Sequence, residues 1–114
     1  MKLQNPFPNK VRLLYTGHWS CFLCGSNGWN RGGLELHHIL GRVSDSAFNS
    51  SCICGYCHRG IGHTQKEHQK IFYQTAQFLK KVLFRPEEGD IKFIKENFNE
   101  LICEKTEKWI KSIV

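Results

Sequence analysis

The stretch that decides the fold runs from residue 21 to residue 58, CFLCGSNGWNRGGLELHHILGRVSDSAFNSSCICGYCH. Two Cys-x-x-Cys pairs enclose a pair of histidines, and a third histidine follows the second pair directly. The metal-binding side chains are Cys21, Cys24, His37, His38, Cys54, Cys57 and His58. Because four thiolates close a tetrahedral zinc site, the histidines are left for a second metal with an open position. The stretch therefore predicts one structural metal ion and one catalytic metal ion.

The two cysteine pairs predict a structural zinc site. Two residues between ligands let both sulfurs of a pair reach one ion, and two such pairs fill its tetrahedron. Cys52 also lies beside the second pair, but the spacing of Cys54 and Cys57 is better, so we expect Cys52 and Cys103 to be spare, half-buried thiols. Thiol redox chemistry would need a single Cys-x-x-Cys in a βαβ setting, which disfavours a redox protein.

Length and charge bound the class of protein. A chain of 114 residues with 40% hydrophobic residues fits a single domain over 1–114 that buries a modest core. Sixteen Lys and Arg against ten Asp and Glu give a net charge of +6, which favours a polyanion such as DNA as partner. Residues 1–20 lack the apolar core of a signal peptide, and no apolar run approaches the roughly 20 residues that cross a bilayer. We therefore expect a cytoplasmic protein with no membrane partner.

Composition divides the chain into three segments. Residues 1–20 form a lead-in segment, residues 21–64 hold the metal-binding side chains, and residues 65–114 form a helical extension. The apolar side chains of the lead-in are expected to pack onto the body, and these are Phe7, Leu13, Leu14, Tyr15 and Trp19. Leu34-Glu35-Leu36 alternates with the period of a strand and Gly41 ends the run, which predicts a strand over 34–40. The polar residues 42–51 are expected to be a loop.

Residues 65–114 are predicted to form two amphipathic helices. Thr64 and Glu67 make a capping box for a helix over 65–84, which Pro86 ends. After a linker, Asp90 is expected to cap the second helix. The apolar positions of this second helix are Ile91, Ile94, Phe98, Leu101, Ile102 and Ile113. Core packing is their expected role, with Trp109, Ile110 and Ile113 as the first candidates for an interface.

The histidines carry the potential chemistry. A neutral imidazole ligates a divalent metal, and a neighbouring imidazole that is not committed to the metal takes a proton from water. Adjacent side chains of a regular strand point to opposite faces, so His37 and His38 can divide these roles only if the backbone is bent there. We therefore predict an irregularity at this pair.

Leu36-His37-His38-Ile39, then Asn49, then Cys54-x-x-Cys57-His58, resembles the HNH endonucleases, specifically their zinc-stapled, phage-type branch. The resemblance covers residues 21–64, and the C-terminal helices lie outside it. It implies an α+β fold, in which a small ββα-metal (His-Me) finger with a four-cysteine zinc knuckle site is followed by two C-terminal α-helices. It also implies a protein of a bacterial or phage-infected cell.

The same resemblance implies a metal-dependent endonuclease that hydrolyses DNA phosphodiester bonds. His38 matches the general base, and His37 and His58 match the ligands of the divalent metal. Asn49 matches the residue whose side-chain amide holds the loop in place, so that His38 keeps its tautomer and its orientation. His63, five residues after His58, is a further candidate ligand, although this spacing is unusual for one helical face.

The implied cofactors are a structural Zn²⁺ and a catalytic Mg²⁺ or Mn²⁺, with Ni²⁺ or Zn²⁺ as alternatives because imidazole also suits those ions. Three basic side chains are expected to bind phosphate oxygens of DNA, namely Arg42, Arg59 and Lys66. Further basic side chains that extend this face are Arg31, Lys10 and Arg12. The histidines outside the set, His18 and His68, are interpreted as surface residues.

A second function stays open on the same residues. A zinc-stabilised nucleic-acid-binding or adaptor module without catalysis would have the same charge and the same cysteine pairs, and it would need no second metal. Beyond DNA, the C-terminal helices are expected to pack on the finger, to form a homodimer or to dock a larger phage protein complex.

Overall fold

The computed structural model describes residues 7–114, where a two-stranded antiparallel sheet packs with six α-helices in an α+β architecture. Strand β1 spans Leu34–His38 and β2 spans Ser50–Cys54. The helices are α1 (Asn9–Arg12), α2 (Gly55–Gly60), α3 (Gln65–Lys81), α4 (Glu88–Glu96), α5 (Phe98–Leu101) and α6 (Glu104–Ile113). The α+β class predicted from the sequence is confirmed. No helix within residues 7–114 is long and apolar enough to span a membrane.

Strand β1 is shorter than the strand predicted over 34–40. Its alternating pattern places Leu34 and Leu36 in the core, as the period of a strand requires. Pairing with β2 ends at His38, which lies opposite Ser50. Gly41 then adopts φ +76°, a left-handed conformation that glycine enters without steric cost.

Strand β2 lies partly inside the predicted polar loop over 42–51. A short 3-10 turn over Ala47–Asn49 leads into it, and all five of its residues are buried. Ser50 and Ser51 tolerate this burial because their hydroxyl groups are bonded. The Ser50 Oγ lies 2.7 Å from Tyr15 Oη, and Ser51 Oγ donates to the His37 carbonyl at 3.1 Å.

Helix α3 confirms the predicted capping box. The Glu67 backbone N–H donates to Thr64 Oγ1 at 3.2 Å, and Thr64 N–H donates to Glu67 Oε1 at 3.4 Å. The helix ends at Lys81, three residues before the predicted end, and Leu83 adopts φ +58° after it. Thr75 Oγ1 donates to the Ser50 carbonyl at 2.7 Å, which ties the buried face of α3 to β2.

The single second helix predicted after Asp90 is wrong, because three helices occupy this part of the chain. Helix α4 begins at Glu88, and Asp90 lies in its first turn, where its carboxylate accepts from the Glu87 backbone N–H at 2.8 Å. The break after α4 falls at Asn97, whose Nδ2 donates to the Phe93 carbonyl at 2.9 Å. Each short helix then directs its own apolar residues into one core.

The lead-in segment packs onto the body only in part, and residues 1–6 lie outside the described residues. Phe7 and Tyr15 are buried and Leu14 is partly buried, as expected. Leu13 and Trp19 were expected to pack as well, but they are 70% and 53% exposed, which corrects that prediction. The short α1 and the 3-10 turn after it place one side of this segment against the core and leave the other side in solvent.

Candidate metal centres

The four thiols predicted as zinc ligands lie together. The Sγ atoms of Cys21, Cys24, Cys54 and Cys57 are all within 4.8 Å of one another, and those of Cys24 and Cys54 are 3.8 Å apart. A tetrahedral zinc ion with Zn–S bonds of about 2.3 Å separates its sulfurs by about 3.8 Å. The thiol cluster, as these four residues are called below, therefore has the composition and spacing of a structural zinc site.

Two different elements bring the thiols together. Cys21 and Cys24 stand on a tight loop, closed by the Gly25 N–H donating to the Cys21 carbonyl at 2.9 Å. Cys54 ends β2 and caps α2, so Cys57 follows in the first turn of that helix. The loop is joined to β2 because the Phe22 N–H donates to the Cys52 carbonyl at 2.7 Å.

The surroundings of the thiol cluster act on its thiols in opposite directions, because burial raises the pKa of the Cys57 thiol to about 12 whereas the pKa values of Cys24 and Cys54 are lowered. The Cys54 N–H donates to Cys21 Sγ at 3.3 Å, and Arg31 Nη2 lies 3.9 Å from Cys57 Sγ. Hydrogen bonds from Ser26 lower the pKa of the Cys24 thiol to about 6. Arg31 supplies the positive charge that offsets an anionic four-thiolate site.

The other two cysteines do not belong to the cluster. Cys52 is fully buried rather than half-buried, and burial raises the pKa of its thiol to about 12, so it stays a neutral core residue. Cys103 is half-buried at the start of α6, where its backbone N–H donates to Thr106 Oγ1. All six cysteines are free of disulfides.

A second group of metal-binding side chains lies where β1 meets α2. The ring centres of His37 and His58 are 4.1 Å apart, and those of His37 and His63 are 6.1 Å apart. These three residues are called the imidazole cluster below. His58 Nδ1 donates to Glu35 Oε2 at 3.1 Å, which orients its ring. Among residues 7–114, only the thiol cluster has three or more His, Cys, Asp or Glu ligand atoms all within 4.8 Å of one another.

His37 is held in the form that binds a metal. Burial, together with the neighbouring His58, His63 and His38, lowers the pKa of its imidazole to about 4, so the ring is neutral near pH 7. Its Nε2 atom is buried and has no hydrogen-bond partner within the described chain. A neutral imidazole with an unpaired, buried nitrogen is chemically able to ligate a metal ion.

His38 lies beside the imidazole cluster but on the opposite face of β1. Its ring stacks on Phe7 with centres 3.9 Å apart, and its Nε2 donates to Asp45 Oδ1 at 3.0 Å. The irregularity predicted at this pair of histidines is absent, because both lie in β1 with regular pairing. His37 and His38 nevertheless both border one open cavity of about 390 Å³. His38 is the last residue of β1. The cavity is lined by Glu35, Leu36, His37, His38, Gly41, Arg42 and His58.

Asn49 is fully buried and uses its whole side-chain amide to hold the loop after β1. Its Oδ1 accepts from the Leu40 N–H at 2.9 Å, and its Nδ2 donates to the carbonyls of Gly41 and Ser44 at 2.9 and 2.8 Å. The Asn49 backbone carbonyl also accepts from Ile39 N–H at 2.8 Å. The loop that carries Asp45 towards His38 is thereby anchored to the start of β2.

The basic side chains differ in their surroundings. Arg42 is exposed at the cavity, and Arg59 and Lys66 are exposed on α2 and α3. Arg31 is not a free surface charge, because its guanidinium lies 4.2 Å from the Tyr56 ring centre and reaches the thiol cluster.

Lys10 and Arg12 lie on α1. The Lys10 ammonium is 3.4 Å from Glu87 Oε1 and Arg12 donates to Asn9 Oδ1, so each side chain has a polar partner within the protein.

Two histidines interpreted as surface residues are not fully exposed. His68 is buried, and its Nδ1 lies 2.7 Å from Glu100 Oε2. His18 is half-buried against aromatic rings, and its Nε2 donates to the Ser20 carbonyl. The helical period could have placed His68 correctly, because Ile71 and Phe72 follow it at three and four residues on the buried stripe of α3.

Comparison of the chain with family models, with curated proteins and with solved structures gives no match in any of the three.

Proposed function

We propose that this chain is a metal-dependent HNH endonuclease that hydrolyses DNA phosphodiester bonds, and that β1, β2 and α2 form its ββα-metal finger. One observation carries the proposal. His38, oriented by Asp45, and the neighbouring imidazoles of His37 and His58 border the same open cavity, with the guanidinium of Arg42 at its edge. A proton acceptor, metal ligands and a phosphate-binding cation thus meet in one place.

His38 acts as the general base. The Asp45 carboxylate can only accept a hydrogen bond, so it takes the Nε2 hydrogen of His38 and leaves Nδ1 without one. Nδ1 then removes the proton from the water that attacks phosphorus, while Asp45 stabilises the positive charge that develops on the ring. Asn49 supports this role indirectly, because it anchors the loop that presents Asp45.

His37 and His58 hold the divalent metal. His37 offers a buried, unpartnered nitrogen, and Glu35 fixes the tautomer of His58 so that the nitrogen opposite the hydrogen bond is the one that faces a metal. His63 stands beside them as a third candidate. When bound, Mg²⁺ or Mn²⁺, or Ni²⁺ or Zn²⁺, would stabilise charge on the phosphoryl oxygen and on the departing 3′ oxygen.

The thiol cluster has a separate, structural role. Cys54 and Cys57 bracket the start of α2, and His58 is the next residue of that helix. A zinc ion at the thiol cluster therefore fixes the helix turn that carries His58 against β1. Exposed Arg42, Arg59 and Lys66, with a net charge of +6, supply non-specific attraction for the DNA backbone.

Nicking of supercoiled plasmid DNA with Mg²⁺ or Mn²⁺ tests the proposal. His38→Ala should lower the cleavage rate by about 10²- to 10⁴-fold, the contribution of a positioned general base. His18→Ala is the matched control, because it removes an imidazole that packs against Phe22 and Phe78 and does not line the cavity, and it should cleave like the unmodified chain. Equal cleavage by the His38→Ala and unmodified proteins would remove His38 from the mechanism.

The metal ligands are tested by a second pair of variants. His37→Ala and His58→Ala should each lose cleavage but keep one equivalent of zinc, because the thiol cluster is untouched. Zinc content by elemental analysis and plasmid nicking measured on the same sample separate the two sites. Loss of zinc together with activity would contradict the proposal that the thiols and the imidazoles bind separate metal ions.

A non-catalytic, zinc-stabilised nucleic-acid-binding module is the second candidate. The observation that favours it is the burial of His38, which is 5% exposed with Phe7 stacked on its ring. Such a module would bind DNA tightly and cleave none with Mg²⁺, Mn²⁺, Ni²⁺ or Zn²⁺. Removal of the stacked ring in Phe7→Ala separates the two candidates, because an endonuclease hindered by Phe7 would become faster and a binding module would stay inactive.

A further inference from the structure

His68 has a ring nitrogen without a hydrogen-bond partner in the interior of the described residues. The residue is 8% exposed, and its Nε2 atom is buried without a hydrogen-bond partner among residues 7–114. Buried polar atoms are rarely left unpaired in native proteins, and each one calls for an ion, a water or a catalytic role. Within residues 7–114, Nε2 of His37, a residue of the imidazole cluster, is in the same state.

The opposite nitrogen of His68 is bound as it is in metal-ligating histidines. Nδ1 donates to Glu100 Oε2 at 2.7 Å, and Glu100 reaches it from α5, 32 residues along the chain. Histidines that ligate metals almost always donate their second ring N–H to a carboxylate, a carbonyl or water, which fixes the tautomer and leaves the other nitrogen for the metal. The pair formed by Glu35 and His58 repeats this arrangement on the other side of the cluster.

The ring positions connect His68 to the imidazole cluster. The ring centre of His63 lies 5.8 Å from that of His68 and 6.1 Å from that of His37. Two imidazoles that share one zinc ion at about 2.0–2.1 Å have ring centres about 5 Å apart. His63 occupies its central position because it adopts φ +54° in the turn between α2 and α3, a conformation uncommon for a residue other than glycine. To share one ion, these rings must move closer together than their 5.8 and 6.1 Å separations in this structure.

We propose that His68 is a further ligand of the divalent ion held by the imidazole cluster, and that Glu100 is its positioning residue. The proposal rests on the proposed function, because it concerns the same ion. The proposed ligand set also indicates which class of metal ion the site binds. A set of imidazoles, oriented by Glu35 and Glu100, suits a transition-metal ion such as Ni²⁺ or Zn²⁺ better than Mg²⁺, which prefers oxygen ligands. The helices beyond residue 64 thereby become part of the metal site.

Metal binding to the zinc-loaded full chain tests the proposal without relying on DNA cleavage. Isothermal titration with Ni²⁺ should give one ion per chain, bound far more tightly than Mg²⁺. His68→Phe keeps an aromatic ring in the core and Glu100→Gln keeps the shape of the side chain. Glu100→Gln should weaken Ni²⁺ binding by about 10- to 100-fold, the usual cost of losing the hydrogen-bonded partner of a ligand, and His68→Phe should weaken it at least as much. The matched controls, His18→Phe and Glu96→Gln, should bind Ni²⁺ like the unmodified chain.

A spectroscopic measurement distinguishes a ligand from a residue that only packs. In ¹⁵N spectra of the histidine side chains, a second equivalent of Zn²⁺ should shift His68 Nε2 to a metal-bound position while Nδ1 stays protonated. An unshifted His68 Nε2, or Ni²⁺ affinity unchanged in both variants, overturns the proposal. If His68→Phe does not fold, Glu100→Gln decides, because that side chain is 40% exposed and its replacement leaves no cavity.

Failure of this proposal can be told apart from failure of the proposed function. A chain that binds Ni²⁺ through His68 but cleaves no DNA supports the metal site and contradicts the endonuclease. A chain that cleaves DNA, and whose His68→Phe variant binds Ni²⁺ with unchanged affinity, supports the endonuclease and overturns the role of His68.

Discussion

Asp45 accepts a hydrogen bond from Nε2 of His38 at 3.0 Å and so joins a carboxylate side chain that is 63% exposed to an imidazole that is only 6% exposed. The bond crosses from the loop after β1 back to the last residue of that strand. It fixes one tautomer of His38, because an ionised carboxylate offers no hydrogen of its own. The exposed partner can be changed with little effect on packing, which makes it a selective probe of the buried one.

Asp45→Asn should therefore reduce plasmid nicking while the protein stays folded. The amide is a weaker acceptor and can donate, so His38 loses its fixed tautomer and the charge that stabilises its protonated ring. We expect a loss of about 10- to 100-fold, part of the 10²–10⁴ that a positioned general base contributes. Glu88→Gln neutralises another exposed carboxylate, on α4, and should leave the nicking rate unchanged. Equal rates for Asp45→Asn and the unmodified chain would show that Asp45 does not orient His38.

Asn49→Ala should destabilise the protein and slow cleavage together. The substitution leaves the Leu40 N–H and the carbonyls of Gly41 and Ser44 without their partner. Part of this loop is solvent-accessible and water replaces some bonds, so we expect a loss of about 2 kcal/mol, within the 1–3 kcal/mol of one unpaired buried group. Urea unfolding of the zinc-loaded protein measures it.

The control for Asn49 is Asn27→Ala, which removes an exposed turn residue whose side chain accepts from the Trp29 N–H. It should cost a few tenths of a kcal/mol, as surface substitutions usually do. A similar free-energy change in both variants would mean that the buried amide of Asn49 does not hold the loop.

The local features of the fold could be read from the sequence, but the long-range ones could not. The capping box of Thr64 and the alternation before His37 depend on neighbouring residues, so their patterns were sufficient. Strand β2 was missed because Ser50 and Ser51 look like loop residues, and only hydrogen bonds to distant groups make them buried strand residues. Likewise, the helical period continues across Asn97, but the chain turns there so that α5 can pack on α3.

In the candidate sites, too, the local features could be predicted from the sequence and the long-range contacts could not. Each Cys-x-x-Cys pair is a local pattern, and its spacing was enough to predict that the two pairs meet in one thiol cluster. The partnership of His68 with Glu100 joins residues on two different helices, and no spacing rule connects them. Asp45 was missed because a single acidic residue in a polar loop has no pattern of its own.

Removing the structural zinc should unfold the protein. Structural zinc in small domains contributes about 10–16 kcal/mol of binding free energy at pH 7, which equals or exceeds the 5–15 kcal/mol stability of a typical domain. Cys54→Ser, or strong chelation of the unmodified chain, should therefore abolish the cooperative thermal transition seen by circular dichroism. Cys103→Ser, outside the thiol cluster, should keep it. An unchanged transition after complete zinc removal would contradict the structural role of the thiol cluster.

Acid should destabilise the fold partly through His18. Burial lowers the pKa of this imidazole, Lys81 lowers it further, and the bond to the Ser20 carbonyl opposes them. Above its ordinary value of about 6.5 the ring is neutral both folded and unfolded, so its contribution is fully present there. As pH falls below about 6.5, the unfolded chain binds a proton that the folded chain resists, and the free energy of unfolding decreases. His18→Gln removes this pH-dependent contribution to the free energy of unfolding. Between pH 7.5 and pH 5.5 the unmodified zinc-loaded protein should therefore lose more stability to urea than the variant, and equal losses would exclude His18 as a source of the acid sensitivity.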